Sequence, residues 1–144
     1  MPKATRAAPP PNGSVFHYPY LWERQERSGT EQGKDRSCCL AFVLKHVKGP
    51  SGLVILPISD RRPTDGHLCL EVPSREKVIA GLDPKRPAYV HLSEYNYDQF
   101  PGSVFLPPQK LHLGKFSESF TRAIISNMMR MLKEKRMKQI NRTV

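Results

Sequence analysis

Glu31 and Arg36 stand five residues apart in a charged stretch, WERQERSGTEQGKDRS, that leads straight into the apolar run CCLAFVL. A carboxylate and a guanidinium at the mouth of a strand can hold a phosphate and move a proton, yet taken alone they read as a surface ion pair. Ser59, at the end of LVILPIS, is by itself a strand-end turn residue, and Arg61 and Arg62 follow it in a loop. The five histidines (His17, His46, His67, His91, His112) and three cysteines (Cys38, Cys39, Cys69) form no CxxC pair and no helical His pair. No structural zinc or other cofactor is expected from that pattern. Adjacent Cys38 and Cys39 would strain to pair with each other, so a disulfide scaffold is not expected either. Both lie in what reads as a core strand without an identifiable base, which disfavours a thiol nucleophile.

The elements that must position these residues read as short apolar runs separated by turn residues, the pattern of a small antiparallel sheet or barrel. Val15 to Tyr20 is the first run, with Pro19 marking a strand end, and residues 22–37 read as a long exposed loop. Cys38 to Val47 is continuous enough for a central buried strand, and KGPSG turns it into Leu53 to Ile58 as a hairpin. His67 to Val72 is a strand, Pro73-Ser74 starts a short helix that Gly81 and Pro84 end, and Ala88 to Leu92 is a further strand. Composition makes SEYNYDQFPG a polar stretch before a last short strand at Ser103 to Leu106. From Phe116, the recurrence of Phe120, Ile124, Met128 and Met131 or Leu132 predicts a long amphipathic helix. Its methionines are expected in core packing or a dimer seam, ahead of a peptide groove.

The 144 residues fit one domain, and no apolar run approaches the roughly 18 residues of a membrane span. The N-terminus lacks a secretory h-region, and the chain is read as cytoplasmic. Lys+Arg exceed Asp+Glu by 23 to 13, a formal +10 that suits an acidic partner or polyanion. Much of that charge is peripheral. Residues 1–12 form a Pro-rich arm expected to be disordered, residues 134–144 a basic tail expected to be solvated, and 13–133 the domain between them.

The segment Gly29-Thr30-Glu31-Gln32-Gly33-Lys34-Asp35-Arg36, followed by CCLAFVL, resembles the signature of the MazF/PemK toxin family. In that family a Gly-Ser/Thr-Glu-Gln turn leads to an Arg at the mouth of the second strand, with the spacing seen between Glu31 and Arg36. LVILPIS is similar to the family strand ending Pro-Ile-Thr, VHLSEYNYD to its fifth strand with an acidic end, and LGKFSESFTRAIISNMMRML to its terminal Gly-plus-helix segment. The likeness runs over roughly residues 13–133. Ser37 stands where the family usually has Pro, Ser59 where Thr is more common, and the first loop is longer.

The resemblance implies an SH3-like β-barrel with a C-terminal helix, a homodimer, and an acidic antitoxin that fills the RNA groove. It also implies a metal-independent endoribonuclease that cuts single-stranded RNA by 2′-OH attack, leaving a 2′,3′-cyclic phosphate. Arg36 would then stabilise charge on the phosphorane, Ser59 would donate a hydrogen bond to it, and Glu31 would orient Arg36 or accept a proton. Arg61, Arg62 and Lys34 would hold flanking phosphates. Tyr95 and Tyr97 could stack on unpaired bases, or be half-buried strand aromatics. Two other readings stand beside this: a noncatalytic toxin of the gyrase-inhibiting CcdB kind, and an RNA-binding module that does not cleave.

Overall fold

The computed structural model describes residues 8–29, 33–63, 68–106 and 114–143. Its centre is the hairpin of β2 (Asp35–Leu44) and β3 (Ser51–Ser59), which pair antiparallel from Cys38 opposite Pro57 to Leu44 opposite Gly52. From Cys38 to Leu44 and from Leu53 to Ile58 the two strands are continuously apolar because the sheet is covered on both faces there. Cys38, Leu40, Leu53 and Ile55 enter one buried cluster with Phe16, Tyr18, Tyr20 and Trp22. Their neighbours Cys39, Ala41, Val54 and Leu56 enter another. A register shift between Leu40 and Phe42 bends β2 along its length.

The remaining strands extend this hairpin into an eight-stranded, mostly antiparallel sheet curled as a half-barrel. β1 (Ser14–Pro19) lies on the free edge of β2, and β7 (Gly114–Lys115) lies beyond β1. The other edge of β3 is divided. Its first half, Ser51 to Ile55, pairs with β6 (Glu94–Phe100), and its end, Ile58 and Ser59, pairs with β5 (Tyr89–His91). β4 (Cys69–Glu71) closes that side on β5. Helix α1 (Glu23–Arg27) and helix α2 (Ser74–Ile79) sit in the connections.

Helix α3 (Glu118–Lys133) covers the second cluster with Ile124, Met128 and Met131, each buried, so these two methionines are core packing while Met129 is exposed. The Ser117 side chain caps it by accepting from the Phe120 N–H at 3.2 Å. No helix among the described residues is long and apolar enough to cross a membrane.

Several expectations need correction. Residues 23–27 of the supposed exposed loop are helical, started by the Trp22 N–H donating to Gln25 Oε1 at 3.0 Å. The polar stretch SEYNYDQFPG holds a strand, β6 from Glu94 to Phe100, and VHLSEYNYD, matched above to one family strand, is divided between β5 and β6. Ser103 to Leu106 is not a strand: Ser103 Oγ instead receives the backbone N–H groups of Phe105 and Leu106. The basic tail is only partly solvated, because β8 (Lys138–Asn141) runs parallel to β6 and buries Ile140, and Arg142 beyond it is buried too. Of the Pro-rich arm, residues 8–12 are described and Pro10 is buried; residues 1–7 lie outside the described residues. All three cysteines are free thiols.

Candidate active site

Continuing the β2–β3 register two residues past Cys38 and Pro57 sets Arg36 opposite Ser59. Both side chains, with Asp60, line two adjoining cavities at this end of the hairpin. The larger, about 460 Å³, also takes in Trp22, Arg24, Arg61, Arg62, His91 and Glu94. The smaller, about 280 Å³, extends towards Leu82, Asp83 and Arg86. Four guanidiniums therefore surround the larger cavity, partly balanced by Asp60 and Glu94.

The segment Tyr18 to Glu23 is held in place by alternate residues of β6, and this sets the position of Trp22. Glu94 Oε1 accepts from the Tyr20 hydroxyl at 3.1 Å and from the Glu23 N–H at 2.9 Å. Asn96, fully buried, clamps Leu21 both ways, accepting from its N–H at 2.9 Å and donating to its carbonyl at 2.8 Å. Asp98, also fully buried, accepts from the Tyr18 hydroxyl at 2.6 Å and from Ser103 Oγ at 2.7 Å. Buried polar groups are tolerable only when satisfied in this manner. Gly33 belongs to the same support: a Cβ there would fall on the Tyr20 carbonyl oxygen, so the chain entering β2 can lie this close only as glycine.

Trp22, 6% exposed, is a hub under the site. The guanidinium carbons of Arg24 and Arg36 lie 5.0 and 5.3 Å from its ring centroid, and the rings of Tyr20 and His91 meet it edge-on. Among the described residues Arg36 Nε is buried without a hydrogen-bond partner, and the indole lies against the same guanidinium. Ser59 Oγ accepts from the Arg61 N–H at 3.1 Å, and His91 Nε2 meets the Arg61 carbonyl oxygen at 3.1 Å. Those two contacts fix the backbone of the arginine loop. Burial raises the Glu94 carboxyl above its ordinary value, an effect reduced by the bonds from Glu23 and Tyr20 and by Arg24.

Arg36, Ser59, Arg61 and Arg62 are thus brought together as the sequence suggested. Arg62 is shared with Glu71 at 3.7 Å and with the ring of Tyr89 at 5.1 Å. Lys34 is exposed just before β2 and lines neither cavity. Glu31 lies outside the described residues. Tyr95 and Tyr97 are half-buried strand aromatics away from both cavities: Tyr95 packs on the α3 side of the sheet, its hydroxyl donating to Gln139 Oε1 at 2.7 Å. Tyr97 occupies the space that the missing side chain of Gly52 leaves open.

Sequence reasoning missed Trp22, Arg24, His91 and Glu94. The run of aromatics in FHYPYLW was the available signal for Trp22, and the lone acid opening SEYNYD for Glu94. Compared with known proteins, the chain matches no family model, no curated protein and no solved structure.

Proposed function

We propose that this protein is a PemK/MazF-like toxin on an SH3-like barrel, a metal-independent endoribonuclease acting on single-stranded RNA. The observation that carries the reading is the meeting of Arg36 and Ser59 across the end of the β2–β3 hairpin, in a cavity ringed by Arg24, Arg61 and Arg62. Phosphate oxygens are the ligands that such a ring of planar cations fits best.

In the proposed reaction the substrate's 2′-oxygen attacks the adjacent phosphorus, its proton passes to a base, and the bond from phosphorus to the 5′-oxygen breaks as that oxygen is protonated. Arg36 faces the non-bridging oxygens and opposes the negative charge that grows on them. Ser59 Oγ supplies a neutral hydrogen bond to the same phosphate. Glu94, whose carboxyl holds its proton more tightly than usual, suits proton transfer at the cavity wall better than any arginine does. Arg61 and Arg62 hold the flanking phosphates, and the same cations would receive the carboxylates of an acidic antitoxin. Homodimerisation is part of this reading.

The test is incubation of wild-type and Arg36→Ala protein with a long single-stranded RNA in EDTA, followed by mapping of fragment ends. Discrete cuts with cyclic-phosphate ends, made by wild type and lost in the variant, are expected. Intact RNA with both folded proteins would replace the reading with that of a noncatalytic binder.

A further inference from the structure

The smaller cavity shares Arg36, Ser59 and Asp60 with the larger one, and the rest of its lining has no part in the chemistry above. At about 280 Å³ it lies just below the roughly 300 to 1,000 Å³ of typical small-molecule sites, a size for one ring system. Its apolar lining comes from Ile58, Leu82 and Ala88, and its polar rim from Asp60, Asp83 and Arg86.

That rim is built. Lys77, a lysine only 8% exposed, spends its ammonium on the loop, donating to the carbonyls of Pro84 at 3.3 Å and Arg86 at 2.9 Å. Asp83 Oδ1 accepts from the Lys85 N–H at 2.9 Å, which orients the carboxylate. Arg86 Nη2 donates to Asp60 Oδ2 at 3.0 Å and ties the loop to the residue following β3. The Asp83 carboxylate and the Arg86 guanidinium therefore stand on one short loop at the rim of the same cavity, with Arg86 tied to Asp60, the residue after Ser59.

Resting on the ribonuclease reading, we infer that this cavity is a nucleobase subsite that reads guanine in the nucleotide next to the cut. Guanine offers a carboxylate two adjacent donors, N1–H and the N2 amine, and offers a guanidinium two acceptors, O6 and N7. Adenine, cytosine and uracil lack the donor pair. Unpaired RNA bases are free to turn into such a cavity, with the ring against its apolar wall and the edge at its rim.

The test measures binding of 2′-O-methyl RNA oligonucleotides, which lack the attacking hydroxyl, at one fixed salt concentration. The series is G-free, carries a single guanosine, or carries inosine in its place. A single guanosine is expected to tighten binding on the order of ten- to a hundredfold. Inosine, lacking the N2 amine, should lose most of that gain. Asp83→Asn and Arg86→Gln, both at exposed positions, should erase the difference between guanosine-containing and G-free strands. Equal affinity for all three oligonucleotides overturns the subsite while EDTA-resistant cleavage by the wild type preserves the ribonuclease reading. A guanosine preference that survives in both variants also overturns it. Absence of binding together with absence of cleavage overturns both proposals.

Discussion

The guanidinium carbon of Arg36 lies 5.3 Å from the centroid of the Trp22 ring, and its Nε is buried without a hydrogen-bond partner among the described residues. An indole face is thus the main feature aiming the cation at the end of β3. In the proposed reaction Trp22 would be a positioning residue. Trp22→Phe keeps an aromatic filler with a weaker face, and cation–π energies predict a roughly three- to thirtyfold fall in kcat with a smaller change in KM. An equal loss in a thermally matched core variant such as Ile140→Val would reduce Trp22 to a packing role.

Removing Arg36 itself should be more damaging. Arg36→Ala is expected to lower turnover about a hundred- to a thousandfold, the usual effect of deleting one preorganised transition-state donor. Ser59→Ala removes only a neutral hydrogen bond and should cost about tenfold or less. Single-turnover cleavage of one defined RNA measures both.

Glu94 makes stability depend on pH in a direction opposite to that of a salt-bridged acid. Burial raises its folded carboxyl, so the folded state binds the proton more tightly than the unfolded chain does. Its contribution is therefore intact below the unfolded carboxyl range, near about 4.3, and is lost as pH rises through the folded value. Glu94→Gln keeps an acceptor for Tyr20 and Glu23 and removes the charge. It should be more stable than wild type at neutral pH, with the advantage vanishing on acidification, as read by denaturant midpoints at several pH values.

Cys38 and Cys39 are fully buried, and burial drives both thiols up, Cys39 to about 12. The more open Cys69 is raised as well, again mainly by burial. Iodoacetamide at pH 8 should therefore label Cys69 first and leave the other two untouched until denaturant is added, because only a reachable thiolate reacts. Peptide mapping by mass spectrometry decides this.

The sequence conveyed the hairpin and the long helix because each announces itself locally, by a double-faced apolar run or a stripe at helical spacing. Arg36 and Ser59 were singled out by the motif resemblance, and they lie just before and just after the two apolar runs that were legible as strands. Strand β6 was not legible from composition. Its inward residues Glu94, Asn96 and Asp98 are polar, and the partners that make their burial tolerable, around Tyr18 to Glu23, are more than 70 residues away. Trp22 escaped for the same reason, since its place depends on that distant clamp. β8 carries one buried side chain, Ile140, in a run of polar and basic residues, which is too little periodicity to read.

That single side chain yields a further expectation. Ile140→Ala should cost about 2 to 5 kcal/mol by cavity formation, far more than a substitution in a solvated tail. A urea melt of the variant would show it as a lowered midpoint, and an unchanged midpoint would return these residues to solvent.

The parallel pairing of β8 with β6 also bears on how the protein avoids self-association while it is being made. A ribosome must extend the chain some forty residues past β6, through α3, before β8 exists to cover the exposed backbone of that strand. During that interval β6 offers open peptide groups to any neighbouring nascent chain. The polar residues at its alternate positions, awkward as they are for a buried strand, make it a poor template for dry, interdigitated stacking. The polar residues that order the site in the finished molecule are thus the same ones that leave β6 unsuited to such stacking before β8 is made.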